Sequence, residues 1–597
     1  MCGIAGVFGH SDRDTVAAML AALRHRGPDD EFIVAGDRFT LGARRLSILD
    51  VAGGRQPLTS EDGRVVAAQN GELYNFPELR PALLAAGHAL HTRTDTELLP
   101  HLWEEHGEDL PRHLDGMFAL AIWDDRRQVG FLARDRMGKK PLYYWSHRGA
   151  LYFASELKAI LAVPGFERRL NDEALHHYLA YKHVPHPMSI FKGVQALAPA
   201  HRLLFTPGRD PDVSRYWSLS FAPRDAAVPD EREAAEELLV RLRSAVRRRL
   251  LSDVPVGFFL SGGLDSSLTT VLAAEAAASR VQTFTLTYAG QASTAGKEED
   301  RRWARYVAQR WGTEHYEETI EVTSYPDSLR HVLRAFDEPF AGVVSTYFLA
   351  QRMAQHVKVA VAGDGADELF GSYLSHRLAA GAQATPDVSG QPDWEWRAKL
   401  LVFSEAERMA LYAPAFRAEM SRYSTAEHLR QAFCGLTAAD PLNRMLEAEW
   451  RGIFPDQVLT FVDRLSMAHS LEVRSAFLDT AVVEFVASLP GSLKIAGGVT
   501  KYLLKRAAER YFPAAMIHRP KEGFLMPVTQ WVQGPLEAWV RETLAPRRLA
   551  MHGLFDPAGV QALVTRIYEP DADYRDVNKV LALLAFQEWY ELYRPAR

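Results

Sequence analysis

The chain has 597 residues, a formal net charge of −6, 47% hydrophobic and 24% charged residues, and two cysteines, Cys2 and Cys434. This is the makeup of a globular chain of about two to four domains. It excludes a nucleic-acid polyanion as partner, a disulfide framework and, with no apolar run of about 18 residues, a membrane-spanning helix. Two cysteines suit a reducing cytoplasm, and the apolar start Ile4–Phe8 is too short for a signal segment and lacks a basic flank.

In chain order, Gly3–Phe8 is a short apolar run punctuated by glycine, followed by a helical stretch over Asp14–His25. Val65–Ala68 leading into Asn70-Gly71 predicts a strand entering a tight turn. A second helix is expected over Asp95–His106. Phe118–Trp123 and Val129–Ala133 flank Asp124-Asp125 as a hairpin. Residues 2–205 therefore read as an α+β domain. Residues 206–230, rich in Pro, Asp and Ser, read as a linker before a second domain over 231–597. There Glu231–Leu250 carries Ala235, Leu238, Leu239, Leu242, Val246 and Leu250 on one helical face. The apolar strands Val254–Leu260, Gln282–Tyr288 and Val357–Ala362 alternate with helices, which predicts an α/β parallel sheet. Beyond about residue 400 the chain reads as largely helical, and Ala384–Asp393 as a mobile loop. Arg247-Arg248-Arg249 reads as a solvated helix face, Cys434 as a buried apolar thiol, and His176, His177, His183 and His186 form no convincing metal-ligand set.

Two places carry chemistry. Cys2 follows the initiator methionine, so removing Met1 would put a thiol and a free amine on one residue. An amine with a pKa near 8 is partly neutral at physiological pH and can take the thiol proton. The second place is Ser261-Gly262-Gly263-Leu264-Asp265-Ser266-Ser267, set between a strand and a helix-like run. Such a turn is a phosphate cradle, but it is neither a Walker loop nor a dinucleotide fingerprint. Asp265 would repel phosphate unless a cation such as Mg²⁺ intervened. Gly363-Asp364-Gly365-Ala366-Asp367-Glu368 follows the third strand, again at a carboxyl end where ligands bind in open sheets.

The N-terminal segments Cys2–Gly6, His25–Asp29, Arg45–Ile48, Asn70–Asn75 and Thr94–Glu97 together resemble class II glutamine amidotransferases. These are N-terminal-nucleophile hydrolases with an αββα sandwich. The resemblance implies Cys2 as nucleophile, Asn70 and Gly71 as oxyanion hole, Arg45 as ligand of the glutamine carboxylate, and Glu72 and Asp95 as ligands of its ammonium. Ser261–Ser267 resembles the pyrophosphate loop of ATP-pyrophosphatases, with Ser261, Gly262, Gly263, Asp265, Ser266, Ser267 and Gly363 around ATP. With Asp463–Arg474, Phe477–Asp479, Thr500-Lys501 and Arg519–Phe524, the chain resembles glutamine-hydrolysing asparagine synthetases nearly throughout. That implies ATP and Mg²⁺, the metal on Asp265 and Asp367, Lys501 neutralising the leaving pyrophosphate, and Asp364 in the catalytic set. Glutamine and a small carboxylic acid would be co-substrates, and an apolar passage would carry ammonia between sites; the oligomeric state stays open, a homodimer being one option.

Two features depart from that pattern. Asp364 stands where many asparagine makers carry a glutamate, and Gly342-Val343-Val344 follows Asp337–Ala341 where a polar stretch is usual. Both leave aspartate and other carboxylic acids open as acceptor, the latter in a tailoring amidotransferase. Relatives that close an intramolecular amide typically lose the cysteine, and a non-catalytic scaffold would not need either constellation. Retention of both favours a two-site enzyme.

Overall fold

A computed structural model describes residues 2–222, 228–288, 295–320, 325–382, 393–521 and 528–597. In the first half the strands are β1 Cys2–Phe8, β2 Asp30–Ala35, β3 Phe39–Arg45, β4 Leu58–Thr59, β5 Val65–Leu73, β6 Gly116–Asp124, β7 Val129–Arg134, β8 Tyr143–His147, β9 Ala150–Ala154, β10 Val194–Ala196, β11 His201–Phe205 and β12 Asp212–Arg215. They build two six-stranded antiparallel sheets, ordered β10-β8-β9-β1-β3-β2 and β12-β11-β7-β6-β5-β4. The two-residue period of a strand sorts its side chains. Val66 and Ala68 face Ile4, Phe8, Trp123 and Phe153 between the sheets, whereas Val65 and Ala67 face Leu98, Leu102 and Trp103 outside. The helix Arg13–Ala22, capped by the Asp12 carboxylate, covers the other sheet with Val16, Met19 and Leu20. The result is the expected αββα sandwich.

The tight turn expected at Asn70-Gly71 does not form. β5 runs straight through both residues, pairing Asn70 with Ala119 and Gly71 with Phe118. Glycine serves close approach here: a Cβ at Gly71 would lie 2.0 Å from the Met117 carbonyl oxygen. The stretch 206–230 also holds ordered sheet, because β12 pairs with β11.

The second half opens with the helix Glu231–Arg249, whose first turn is capped by Asp230 accepting from the Arg232 and Glu233 N–H groups. Its buried face includes Leu238, Leu239, Leu242 and Val246, as the periodicity predicts. Strands β13 Val256–Phe259, β14 Gln282–Tyr288, β15 Glu314–Ile320, β16 Val359–Ala362 and β17 Glu472–Ser475 form one parallel sheet in the order β15-β14-β13-β16-β17. Beyond it the chain is largely helical, ending in Tyr574–Tyr593. That last helix packs Phe586 and Trp589 into the same core as Ala5, Val7 and Tyr178, so the halves share apolar surface. Residues 384–392 of the expected mobile loop lie outside the described residues, as do Glu522, Gly523 and Phe524. Among the described residues, no helix is long and apolar enough to cross a membrane.

Two surface readings are corrected. Arg249 is fully buried, its Nε donating to the Ser475 carbonyl at 3.0 Å and its Nη1 paired with Asp479. Cys434 is exposed, just past the short helix Thr425–Ala432, with Sγ against the Arg430 carbonyl at 3.5 Å. Replacing Asp230 by Ala removes both cap bonds and is expected to cost about 1 kcal/mol. The fall in urea midpoint against wild type checks it, and an unchanged midpoint would refute the cap's contribution.

Candidate active sites

β1 begins the first sheet at Cys2 opposite Arg45 of β3, and Cys2 is buried. Gln56 Nε2 donates to Cys2 Sγ at 3.0 Å and to the Gln69 carbonyl at 3.0 Å. The Asn70 amide is oriented by its partners: Nδ2 faces the Cys2 carbonyl at 2.7 Å and Oδ1 faces Arg26 Nη2 at 3.3 Å. Burial pushes the Cys2 thiol pKa up, so a base must be at hand to form thiolate. Arg45 lies against the loop after β3, donating to the carbonyls of Leu49, Asp50 and Val51 at 2.9, 2.7 and 3.2 Å. A guanidinium has five N–H donors, so these three bonds leave capacity for a carboxylate.

Glu72 and Asn70 share one face of β5, and Asp95 lies near enough to Glu72 for the two carboxylates to repel. Asp95 Oδ2 accepts from Gln69 Nε2 at 2.6 Å and from the Leu73 N–H at 2.8 Å, and Thr94 Oγ1 donates to its Oδ1 at 3.2 Å. Burial raises the pKa of Asp95. Burial and the neighbouring Asp95 push Glu72 well above the usual carboxylate range, against the pull of Arg474. Two buried acids with raised values mark a place short of positive charge.

At the second site, β13 delivers Ser261–Gly263 to the N-terminus of the helix Leu264–Ala276. Gly262 has φ +74°, and a Cβ there would sit 2.1 Å from the Asp300 carbonyl oxygen, so only glycine fits. Ser261 and Ser266 hydroxyls meet at 3.0 Å, and the Ser261 hydroxyl accepts from the Gly263 N–H at 3.3 Å. Ser267 Oγ is buried without a partner among the described residues. Gly363 backs onto the loop, where a Cβ would lie 3.0 Å from both Asp265 Cβ and Ser266 N. Lys501, at φ +53°, sets Nζ 2.6 Å from Asp265 Oδ2 and 2.6 Å from Asp367 Oδ1. The lysine is held charged against burial by those two carboxylates. Despite burial, Lys501 and Lys521 hold Asp367 below the ordinary range. Asp364 stands beside this trio and no lysine lowers it: burial, Asp367 and Asp265 raise it to about 7.

β17 touches both sites through adjacent residues. Arg474 Nη2 lies 3.4 Å from Glu72 Oε2, and the Ser475 hydroxyl donates to the Asp364 carbonyl at 2.6 Å. Beside them is a cavity walled by Leu459, Val462, Val473 and Leu478 but also by Lys139 and Lys140. Asp364 and Asp463 line the same cavity, so its wall carries charges of both signs. A buried ion network completes the seam. Arg26 Nε donates to the Cys2 carbonyl at 3.2 Å, and Nη1 pairs with Glu156 at 2.7 Å and with Asp463 at 2.8 Å. Lys140 reaches Asp463 at 3.1 Å, and Arg464 reaches Glu156 at 3.1 Å. Arg26, Gln56, Glu156, Asp463 and Arg474 received no role from the sequence. The motifs holding Arg26, Asp463 and Arg474 are visible in the sequence, but the pairing of Arg26 with Asp463 across 437 positions is not.

A thiol pocket and a phosphate cradle wired together in one chain define a two-site, glutamine-dependent carbon–nitrogen ligase. Residues 237–591 match the asparagine synthase family and residues 1–217 the glutamine amidotransferase domain. The chain belongs to the glutamine-hydrolysing asparagine synthetase family. It is 30% identical over 577 residues to "Asparagine synthetase [glutamine-hydrolyzing] 1" of Bacillus subtilis (strain 168), covering 91% of this chain and 90% of that one. To "Asparagine synthetase [glutamine-hydrolyzing] 3" of the same organism it is 32% identical over 585 residues, covering 93% and 92%. "Amidase chry2" of Gibberella zeae is 26% identical over 646 residues, covering 93% of each chain. ATP use is typical of this family.

Gly262→Ala is expected to lower ATP–pyrophosphate exchange at least about tenfold, the equivalent of 1.4 kcal/mol, while leaving glutamine hydrolysis intact. Equal loss of both activities would mean that the chain had unfolded rather than the loop alone moved. Asp364 gives a pH test. Its folded value of about 7 lies above the ordinary 3.8, so its stabilising proton is lost as pH rises through about 7. Asp364→Asn should therefore gain stability over wild type between pH 5 and 8, by up to about 3 kcal/mol. Urea denaturation at the two pH values reads the difference, and a pH-independent gap would contradict it.

Proposed function

We propose that this enzyme amidates aspartate to asparagine, with ammonia from glutamine delivered to an acyl-adenylate. The observation that carries the two-site reading is the single strand β17, whose Arg474 reaches Glu72 while Ser475 holds Asp364.

In the proposed mechanism, Met1 is removed and the freed amine of Cys2 takes the thiol proton. The thiolate attacks the glutamine amide carbon, and Asn70 and Gly71 stabilise the oxyanion. A side-chain donor in that role is worth about 3–4 kcal/mol. Asn70 Nδ2 faces the Cys2 carbonyl, and the oxyanion role requires it to turn toward the substrate oxygen. Arg45 takes the substrate carboxylate with its spare donors. Glu72 and Asp95 take its ammonium, a role supported by two buried carboxyls whose values are raised by burial. The Cys2 ammonium returns its proton to the departing nitrogen, the C–N bond breaks to release ammonia, and water hydrolyses the thioester to glutamate.

At the second site Ser261, Gly262, Gly263, Ser266, Ser267 and Gly363 surround the phosphates, and Lys501 meets the departing pyrophosphate. The acceptor carboxylate attacks the α-phosphorus, pyrophosphate leaves, and an acyl-adenylate remains. Asp265 Oδ1 is buried with no partner among the described residues, and Asp265 and Asp367 offer hard oxygen donors. This set fits Mg²⁺, which would supply charge neutralisation to the pyrophosphate. Ammonia then adds to the acyl carbon, its surplus proton goes to Asp364, and AMP leaves. A value near 7 suits a group that must be ionised yet still accept a proton. Burial pushes Lys139 down to about 8, which leaves it largely cationic at neutral pH. A cation beside Asp364 disfavours ammonium there and favours neutral ammonia, the nucleophilic form.

A second reading, a tailoring amidotransferase on another carboxylic acid, is favoured by the segment after Asp337. Phe336 and Phe340 stack at 3.9 Å, and Val344 is buried in the same apolar cluster. The relative named as an amidase keeps nearly the full length. An exchange panel of carboxylic acids separates the two: strongest exchange with aspartate supports asparagine formation, and strongest exchange with an apolar acid refutes it. Cys2→Ala is expected to lower glutamine-dependent amidation by at least about 10³-fold and to spare amidation driven by ammonium salts. Intact-mass measurement should find mature chains beginning at Cys2; glutaminase-active chains that retain Met1 would sink the mechanism.

A further inference from the structure

Four side chains converge on the outer layer of the first half, away from both sites. Glu61 lies in the turn between β4 and β5, and His88 follows the helix Phe76–Ala86. His101 and Glu104 stand three residues apart on one face of the helix Leu98–His106. Each offers one ligand atom, and these atoms all lie within 4.8 Å of one another. His88 Nδ1 is 3.1 Å from Glu61 Oε1, and His101 Nδ1 is 3.3 Å from Glu61 Oε2. Glu104 Oε2 is 3.9 Å from both Nδ1 atoms. Around a tetrahedral ion with bonds of about 2.0–2.1 Å, neighbouring ligand atoms sit about 3.3–3.4 Å apart. Glu61 approaches that spacing to each imidazole through a different oxygen, and the two Glu104 edges are about half an ångström wide of it.

A second observation points to a ligand. His101 is 1% exposed, and its Nδ1, aimed into the cluster, makes no hydrogen bond among the described residues. Buried ring nitrogens are normally satisfied. The surrounding contacts fix the other donors from behind. His88 Nε2 lies 3.2 Å from Glu105 Oε1, the carboxylate–imidazole arrangement that orients metal-bound histidines. Arg126 Nη1 donates to Glu104 Oε1 at 2.8 Å, which leaves Oε2 turned toward the imidazoles. The Ala89 N–H donates to Glu61 Oε1 at 2.9 Å.

We propose that Glu61, His88, His101 and Glu104 form a structural site for a divalent transition metal, Zn²⁺ first. Two imidazoles with two carboxylates suit a borderline ion and are poor company for Mg²⁺, which takes oxygen donors. The ion would staple the β4–β5 turn to two helices of the outer layer.

The test uses the full-length protein, stripped with EDTA and incubated with Zn²⁺ in the presence of Mg²⁺. Gel filtration removes loose metal, and elemental mass spectrometry counts what stays. Wild type is expected to retain one zinc per chain more than the double variant His88→Gln/His101→Gln, and zinc should raise the melting temperature of wild type alone. Cobalt-loaded wild type should show the visible absorption of tetrahedral nitrogen–oxygen coordination, absent in the variant. If loss of the buried His101 prevents folding, the pair His88→Gln/Glu104→Gln gives the same reading. Equal zinc retention in wild type and variants, or none in wild type, leaves an ion-pair cluster without metal and overturns the proposal.

Discussion

The Arg474 guanidinium, buried between Glu72 of the first half and Glu472 of its own strand, is the contact on which the arrangement of the two sites depends. Its Nε meets Glu472 at 2.6 Å, and its Nη1 reaches the Arg249 and Leu251 carbonyls at 2.9 and 2.6 Å. A buried ion pair adds little net stability over apolar packing, but a one-sided loss is costly, about 3–5 kcal/mol, because the remaining charge is stranded. Such contacts therefore act on register more than on stability. Here the register at stake is that of β17 against β16, where Ala362 pairs with Ser475. Two residues past Ala362 comes Asp364. A slip of β17 would displace the hydroxyl that holds Asp364 and would unpair Glu72 at the same time.

The same logic runs through the rest of the seam. Arg26 joins the Cys2 carbonyl to Asp463, and Asp463 passes the charge on to Lys140 beside the cavity. Burial opposes every charge in this chain, and each carboxylate in it stays ionised because a cation is in contact. Burial raises Asp463, but Arg26 and Lys140 more than offset it. A low-dielectric seam of alternating charges is stiff, since any member that moves leaves an unpaired ion. Small apolar contacts fill the remainder, with Leu46, Ile48, Tyr74 and Met117 meeting Val359 and Met467. The two halves are thus locked by polarity at the sites and by apolar packing around them.

What could be read from the sequence follows from how local its cause is. The loop Ser261–Ser267 was legible because the apolar strand before it, the glycines and the helix after it are contiguous. The amphipathic helix Glu231–Arg249 was legible because its period is intrinsic. Asn70-Gly71 misled, because the dipeptide's preference for turns yields to a ladder with β6 that lies over forty positions away. β17 was missed altogether: Glu472-Val473-Arg474-Ser475 has no apolar run, since three of its four side chains or backbones serve polar contacts. Arg249 was misread for the same reason, as its partners Ser475 and Asp479 come from that distant segment. Chemistry held within a few residues declares itself, whereas chemistry assembled by pairing distant strands does not.

Asp364 shows how those two kinds of information meet. The sequence exposes the substitution of aspartate for the longer glutamate, which by itself only shortens a reach. The fold adds that the backbone of this residue is tied to Ser475 and that its neighbours Asp265 and Asp367 already share Lys501. With both lysines committed elsewhere, Asp364 is the carboxylate of the trio left to feel burial and like charge without relief, and its value rises to about 7. Lengthening the side chain would carry the carboxylate about 1 Å further and so change its distance to Asp265, Asp367 and Lys501, on which each Coulomb energy depends. The residue's protonation behaviour is therefore set by the surrounding fold and by its own reach together. On the proposed mechanism, the aspartate-for-glutamate difference acts both on how the site accepts a proton and on which acid it can hold.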